Sequence, residues 1–580
     1  MICITEDKPE RLVGVSSLFL HLDNPLPEAV QYIKSLGTWQ ENPKTNEIEV
    51  PSNQLARLLD YLTCLDDITL DVLDYPKQST DRRMVAKHKT PPLPHQIEGI
   101  EYFLNRPCGL LLDSPGLGKT MQATYLAEEL KEQEGIEHCL VICCVASLRT
   151  NWEREIAKHS NEGCFLLGGR YTKNGNLAWD GVSKRVEQLM RPIDEFFIVT
   201  NIETIRDNRI IDALRKGPNK IGMVVVDEIH KASGYSSKQG MNLLDIDAPH
   251  KIAMTGTLIT KNPMSAYLPL VWVGMERKKS VTKFKSTYCE LDTKTLGRIL
   301  SYKNLDILKN ELSQCSLRRT TEVLESDPSK KLPPIQFIDE CLDMEPRQKR
   351  FYEEFDKLAR GQDDSGELKD SLRKECDLVK IATGDQRALM IREIQAAVCP
   401  SALTTLDVPS CKLDRAADLI EEILDNNAKA VVFSSFKAPI YEMQRRLRDR
   451  GIEPLVGTGD QSDQEIGEAI AKLQDPNSNG RVLLATTQKM GTGLTLTEAS
   501  YVIFLDMPWN AVDYDQAWGR VHRIGCKHPV FVYNLMCQGT IDMAIARVVY
   551  RKGALSKFIV DNKDDEVVRN ALGGCVSDLR

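Results

Sequence analysis

The stretch GLLLDSPGLGKTMQATYLAEEL, residues 109–130, decides the fold class of this chain. Its apolar first part predicts a buried strand, and its last part predicts a helix that begins after a glycine-rich turn. Glycines let backbone amides approach an anion closely, and the N-terminus of a helix favours negative charge. The turn is therefore predicted to bind phosphates, although Asp113 stands where the general phosphate-loop pattern has a glycine.

Each residue of this phosphate loop, defined here as residues 113–120, has an expected role. The amides of Gly116 and Gly118 approach the phosphates, and Lys119 contacts the β and γ phosphates of ATP. The Thr120 hydroxyl is an expected ligand of Mg²⁺. Taken alone, the pattern also fits a plain strand-to-helix turn that binds no nucleotide.

A second stretch, IGMVVVDEIH at residues 221–230, strengthens the nucleotide interpretation. Its apolar run has the length of a buried parallel strand, and two acids follow where the strand leaves the sheet. Ligand sites in open α/β sheets lie at the carboxyl ends of strands, so both acids are expected to face the phosphate loop. Asp227 is predicted to hold Mg²⁺, and Glu228 to orient and deprotonate the attacking water. Two acids that are merely solvated at a strand end are the alternative.

A third stretch, QAWGRVHRIG at residues 516–525, follows a second series of strand patterns: AVVFSSF, RVLLATT and YVIFLDMPW. Arg520 and Arg523 are three residues apart, so on a helix they project from one face, with Gln516 one turn earlier. All three are predicted to act in catalysis, the arginines by stabilising charge on the γ phosphate when two domains close. An exposed basic helix face is the alternative.

Together these motifs resemble those of superfamily 2 helicases, and within them the Swi/Snf-type double-stranded DNA translocases. The resemblance extends to LPHQIEGIEYF (93–103), AMTGTLITKNP (253–263) and TTQKMGTGL (486–494). The segment SLRRTTEVL followed by KLPP, residues 316–334, recurs in this family between the two motor domains. In the family's phosphate loop, DEMGLGKT, Asp113 keeps its place while Ser114 and Pro115 replace an acid and a methionine.

The resemblance implies roles for further residues. Gln96 is expected at the adenine. Coupling of the ATP state to movement is expected from His230, Thr255, Thr257, Gly491 and Gly493. Contacts with the phosphates of DNA are expected from Ser147, Asn151, Lys231, Lys437, Thr487 and Lys489, each of which also fits an ordinary surface residue.

Composition and charge fit a large soluble enzyme. With 580 residues, of which 42% are hydrophobic, the chain can bury more than one core. Its 75 basic and 83 acidic side chains give a formal charge of -8, which excludes a basic packaging protein but not local contacts with DNA. We expect no signal peptide and no membrane span. The 16 cysteines lack CxxC spacing, which predicts reduced thiols rather than zinc sites.

These landmarks predict an α/β fold with two RecA-like parallel-sheet motor domains, helical insertions and a small N-terminal α/β domain. The predicted regions are an accessory DNA-recognition domain at 1–88, motor domains at 89–275 and 412–550, a helical protrusion or linker at 276–411, and a brace at 551–580. The polar segment 77–92 is predicted to be a linker, and GQDDSGELKD, residues 361–370, a mobile turn. The accessory domain faintly resembles the HARP-type module of annealing helicases, and a domain that only braces the motor is the alternative.

We therefore predict a monomeric double-stranded DNA translocase, a DNA-dependent ATPase or helicase that uses ATP and Mg²⁺. Its expected substrate is branched DNA, remodelled by branch migration, fork regression or annealing, with replication or recombination proteins as partners. The alternatives are an ATPase that displaces a protein such as RNA polymerase from DNA, an RNA helicase, and an ATP-gated scaffold with little turnover. The compact layout suggests a bacterial or phage source and a cytoplasmic location, or a nuclear one in a eukaryote.

Overall fold

The computed structural model describes residues 82–561 apart from the gaps 145–147, 172–176, 233, 235–236, 261, 277–280, 293–298, 325–330, 360–370, 373–385 and 491–494, together with five N-terminal strands. The chain divides into two compact units. The first comprises chiefly Met1–Thr320 with Leu555–Asp578, and the second Thr321–Ala554. Each unit is described by itself.

The N-terminal strands form one sheet in the order β3-β4-β2-β1-β5. Their bounds are β1 (Ile2–Asp7), β2 (Ser17–Leu22), β3 (Gln40–Asn42), β4 (Glu47–Pro51) and β5 (Leu70–Val72). The strands β3 and β4 pair antiparallel within the region predicted as the accessory domain.

Seven described strands of the first unit form a sheet in the order β16-β6-β13-β12-β7-β11-β8, in which all neighbouring strands are parallel. Its strands are β6 (Cys108–Leu111), β7 (His138–Cys143), β8 (Cys164–Leu166), β11 (Phe197–Asn201), β12 (Ile221–Asp227), β13 (His250–Met254) and β16 (Ser316–Leu317). Two short antiparallel pairs accompany it, β9 (Gly169–Tyr171) with β10 (Leu177–Trp179), and β14 (Cys289–Leu291) with β15 (Ile299–Tyr302). The main α-helices are Pro94–Leu104, Lys119–Glu134, Leu148–His159, Val182–Leu189, Ile202–Ile205, Asn208–Lys216, Lys238–Leu243, Tyr267–Trp272, Val281–Tyr288 and Leu305–Cys315.

Six strands of the second unit form another parallel sheet, in the order β17-β22-β21-β18-β20-β19. They are β17 (Ile335–Leu342), β18 (Ala430–Ser434), β19 (Leu455–Gly457), β20 (Val482–Thr486), β21 (Tyr501–Phe504) and β22 (Val530–Cys537). Its described α-helices are Pro346–Ala359, Gln386–Val398, Cys411–Asp425, Lys437–Asp449, Asp463–Gln474, Thr487–Met490, Ala511–Trp518 and Ile541–Val560, the last turns of which belong to the first unit.

Both sheets have an apolar core on each face. In β12, Val224 and Val226 join one core while Met223 and Val225 join the other, because neighbouring side chains of a strand point to opposite faces. A strand that is buried on both faces must be apolar throughout, which is why its sequence shows a continuous apolar run. The two parallel sheets with helices on their faces are RecA-like α/β domains, so the predicted fold class is confirmed.

The stretch 276–411 contains strands as well as the predicted helices. The helix Pro346–Ala359 lies where the sequence indicates one, but β16 joins the sheet of the first unit and β17 joins that of the second. The division between the two units also falls inside this stretch. Residues 361–370 lie outside the described part of the chain.

Residues 82–90, which belong to the predicted linker, contact the helix Lys119–Glu134. The amides of Val85 and Ala86 donate to the Glu129 carboxylate at 2.8 and 3.0 Å. His88 lies between two acids, with Nδ1 2.6 Å from Glu128 and Nε2 2.9 Å from Glu129. The polar character of the segment reflects ionic partners on this helix, which the segment's own composition does not reveal.

Further expectations concern the membrane, the cysteines and the brace. Within the described part of the chain, no helix has the length and apolar character needed to cross a membrane. The described cysteines are free thiols, as predicted, and most of them are buried. The helix Ile541–Val560 begins before the predicted brace, of which residues 562–580 lie outside the described part.

Candidate functional site

The phosphate loop joins β6 to the helix Lys119–Glu134 in the first unit. Gly116 and Gly118 have φ angles of 90° and 78°, a backbone conformation that favours glycine. A Cβ atom on Gly118 would lie only 2.4 Å from Nε2 of Gln96. Both glycines therefore meet a conformational need of the loop, and Gly118 also meets a steric one.

Lys119 directs its ammonium group into the loop. Its Nζ donates to the backbone oxygens of Asp113 at 2.7 Å and Ser114 at 3.3 Å. Burial lowers the pKa of Lys119, and the nearby charges of Glu228 and Asp113 offset only part of this decrease. The ammonium thus lies among backbone groups that a bound phosphate can replace as its partner.

Asp227 ends β12 with a buried carboxylate that accepts a hydrogen bond from Nε1 of Trp152 at 2.8 Å. Burial and the charge of Glu228 raise the pKa of Asp227 to about 6. This carboxylate and the half-buried Thr120 hydroxyl are hard oxygen donors of the kind that Mg²⁺ prefers. Two adjacent acids beside the phosphate loop add negative charge to these oxygen donors, so the donor set fits Mg²⁺.

Glu228 is held by the residues that the resemblance names for coupling. Its Oε2 accepts a hydrogen bond from Oγ1 of Thr255 at 3.1 Å and lies 3.1 Å from Nδ1 of His230. Oγ1 of Thr255 also lies 2.8 Å from His230 Nδ1 and accepts from the amide of Thr257 at 3.1 Å. Nε2 of His230 is buried without a hydrogen-bond partner. The structure therefore brings Glu228, His230, Thr255 and Thr257 into one network.

Gln96 contacts the phosphate loop. Its Nε2 donates to the backbone oxygen of Leu117 at 3.2 Å, and its Oε1 accepts from the amide of Leu93 at 2.9 Å. Nε2 of the neighbouring His95 lies 3.0 Å from the same Leu117 oxygen. The helix Pro94–Leu104 is therefore tied to the middle of the loop.

Sequence reasoning missed two arginines beside the loop, although it quoted the segment that contains them. Arg318 donates to the backbone oxygen of Leu112, to that of Gly256 at 3.1 Å, and to the Asp561 carboxylate at 2.5 Å. Arg319 forms a buried ion pair with Asp113. The sequence did offer two signals: an acid at loop position 113, and a double arginine ahead of the second motor domain.

The arginines of the third motif do not lie on a helix, so that prediction is wrong. The helix Ala511–Trp518 carries Gln516, which is buried, but it ends at Gly519. Arg520 and Arg523 follow in a turn that is closed by backbone hydrogen bonds, and both are half-buried. Glycine is a poor helix residue, and Gly519 stands at the C-cap, where the α-helix gives way to the turn.

The predicted DNA-contacting residues differ in their surroundings. Asn151 is half-buried on the helix Leu148–His159, and Lys231 is exposed. Lys437 forms an ion pair with Asp460 at 2.5 Å. Thr487 is buried and Lys489 half-buried. Three further predicted residues lie outside the described part of the chain: Ser147, Gly491 and Gly493.

Comparison with known proteins is consistent with these motifs. A family model described as SNF2-related domain matches residues 95–395, and one described as helicase conserved C-terminal domain matches residues 412–525. A DNA repair and recombination protein RAD54-like from Drosophila persimilis is 26% identical over 519 residues, which cover 81% of this chain and 64% of that protein. The corresponding protein of Gallus gallus is 26% identical over 534 residues, covering 83% of this chain and 69% of that protein.

The chain thus spans less than two thirds of the length of the Drosophila relative. Among solved structures, the Sulfolobus solfataricus SWI2/SNF2 ATPase core in complex with dsDNA is 22% identical, with a TM-score of 0.37. That match covers 85% of this chain and 97% of the other. The animal relatives give no support to the expected bacterial or phage source.

Proposed function

We propose that this chain, which belongs to the SNF2-related family, is an ATP-driven motor that translocates on double-stranded DNA. The observation that carries the proposal is the network of Glu228, His230 and Thr255 next to a phosphate loop that contains Lys119. A carboxylate that is held on two sides can orient a water molecule for attack on the γ phosphate.

Each residue then has one step in hydrolysis. The loop amides and Lys119 bind the β and γ phosphates, and Glu228 accepts a proton from the attacking water. Thr120 and Asp227 would hold Mg²⁺, which would supply positive charge to neutralise the phosphate oxygens. Arg520 and Arg523 add positive charge when ATP closes the two motor domains, and Gln516 assists them. Gln96 recognises the adenine.

Alternate closing and opening moves the motor along one strand of the duplex. The DNA repair and recombination names of the relatives support a branched substrate, which the protein remodels by branch migration, fork regression or annealing. We propose that residues 1–88 recognise the branch, and that strand separation is not required. Phosphate contacts come from the candidate residues in both motor domains, because the overall charge of -8 provides no general attraction to DNA.

The test is steady-state ATP hydrolysis by the full chain with equal nucleotide concentrations of linear duplex, four-way junction, single-stranded DNA and RNA at fixed salt. The proposal expects stimulation by duplex and the greatest stimulation by the junction. Equal stimulation by all duplex forms would remove the branch preference and retain the translocase. Stimulation by RNA alone, or no turnover at all, would contradict the proposal in favour of an RNA helicase or an ATP-gated scaffold.

A further inference from the structure

The side chain of Arg319 contacts three elements around the phosphate loop. Its Nη2 donates to Asp113 Oδ2 at 2.6 Å and to Gln122 Oε1 at 2.7 Å, and its Nε donates to Asp113 Oδ1 at 3.1 Å. Its Nη1 donates to the backbone oxygen of His95. Asp113 begins the loop, Gln122 lies in the first turn after it, and His95 lies on the helix that carries Gln96. One guanidinium group therefore holds both ends of the loop and the neighbouring helix.

The backbone around Arg319 is joined to the same loop. Its amide donates to Asp113 Oδ1 at 3.1 Å, and its carbonyl oxygen accepts from the amide of Ser114 at 2.9 Å. One step earlier, the amide of Leu112 donates to the oxygen of Leu317 at 2.8 Å. These bonds continue the pairing of β16 with β6 into the loop, so the position of Arg319 relative to the loop is fixed by main chain as well as side chain.

The ion pair of Arg319 with Asp113 is buried, with side-chain exposures of 7% and 0%. A second donor, Nε2 of Gln122, lies 3.0 Å from the same carboxylate. Buried ion pairs recover little net stability after desolvation, but a bidentate arginine–carboxylate pair defines geometry closely. Asp113 therefore has a distinct use at the position where the general pattern has glycine: its carboxylate anchors the start of the loop.

We infer that Arg319 is a positioning residue for nucleotide binding, which sets the affinity for the phosphates by fixing both ends of the phosphate loop. The inference rests on the proposed ATPase function. The loop holds the phosphates in the ground state and during the reaction. Loss of Arg319 is therefore expected to weaken the binding of ATP and ADP alike, and to raise KM far more than it lowers kcat.

The test variant is Arg319→Lys, which keeps the charge. A lysine ammonium is a compact point charge and cannot reproduce the fork that reaches Asp113, Gln122 and His95 together. We expect the KM for ATP and the Kd for fluorescently labelled ADP to rise by about tenfold or more, with kcat within about threefold of the wild type.

The matched control is Arg209→Lys. Arg209 also forms a two-point pair with a carboxylate, that of Asp207 at 2.8 and 3.0 Å, but on an exposed surface of the same unit. This control is expected to leave KM and Kd unchanged. It measures what the loss of an arginine–carboxylate pair does when no phosphate loop is involved.

A second variant covers the case in which Arg319→Lys fails to fold. Asp113→Asn combined with Arg319→Gln removes both charges, so no buried charge is left unpaired. The double variant is expected to fold, as judged by circular dichroism and thermal melting, and to show the same increase in the Kd for ADP.

A folded variant of either kind with wild-type KM and Kd would overturn the inference. The same holds if activity falls only in proportion to the folded fraction, since Arg319 would then be purely structural. A wild-type chain that hydrolyses no ATP on DNA would contradict the proposed function instead. In that case the Kd for ADP would still decide the role of Arg319.

Discussion

Glu228 combines an unusual backbone conformation with a restrained carboxylate. Its φ angle of 56° lies in the left-handed region, which is uncommon for residues other than glycine and costs on the order of 1–3 kcal/mol. Such a conformation persists where the surroundings determine it, and here the side chain is held by Thr255 and His230. These two contacts thus set the direction of the carboxylate.

Glu228→Gln is expected to lower kcat by on the order of 10²–10⁴-fold, because an amide cannot accept the proton of the attacking water. ATP binding is expected to persist, so the variant traps ATP and holds duplex DNA more tightly. Single-turnover hydrolysis together with the Kd for labelled ATP checks this result. Glu187→Gln, which changes an exposed glutamate of the same unit, is the control. A wild-type kcat in Glu228→Gln would assign the proton transfer to another group.

At the scale of elements, the turn that carries Arg520 and Arg523 depends on a glycine. Gly525 has a φ angle of 102°, and the nearest atoms to a Cβ built on it belong to Thr497 at 3.9 Å. A side chain at this position therefore meets no clash but does force an unfavourable backbone conformation. Strain at Gly525 would be relieved by movement of the turn that presents the arginines.

Gly525→Ala is expected to lower kcat by roughly tenfold or more while the KM for ATP stays near the wild-type value, because arginine contacts act mainly in the transition state. Gly451→Ala is a matched control, since Gly451 has a φ angle of 78° with nothing within 4 Å of its Cβ position. The control is expected to lose similar stability and to keep its kcat. Equal loss of kcat in both variants would show that the turn has no special role.

The contacts between the segment 82–90 and the helix Lys119–Glu134 are expected to make the stability of the protein depend on pH. Burial lowers the pKa of His88, but hydrogen bonds and charges from Glu128 and Glu129 outweigh it and raise the pKa above its ordinary value of 6.5. A raised pKa in the folded state contributes stability below pH 6.5, and this stability is lost as the pH rises through the pKa that His88 has in the folded state.

His88→Gln is therefore expected to lower Tm by a few degrees at pH 6, and the difference from the wild type is expected to shrink above the folded pKa. Thermal melting between pH 6 and pH 9 measures it. A difference that is constant across this range would show that the charge of His88 does not hold the segment.

At the scale of the whole molecule, local sequence patterns indicate the two parallel sheets but not their edges. β12 is recognisable because burial on both faces demands an apolar run, whereas β17 is half-exposed along its length and β16 has two residues. Lys119, Asp227 and Glu228 can be recognised from the sequence because they belong to short motifs. The pair of Arg319 with Asp113 joins residues 206 positions apart, which no local pattern reveals. The helix expected at Arg520 ends at Trp518, next to Gly519, and glycine is a poor helix residue.

ATP-driven movement on duplex DNA can be measured as displacement of a third strand from a blunt linear triplex. The full chain with ATP and Mg²⁺ is expected to release the third strand at a rate that depends on its distance from the duplex end. Lys119→Ala, which removes the lysine from the phosphate loop, is expected to release none. Displacement by wild type that is equal with and without ATP, or no displacement despite DNA-stimulated hydrolysis, would contradict ATP-driven translocation.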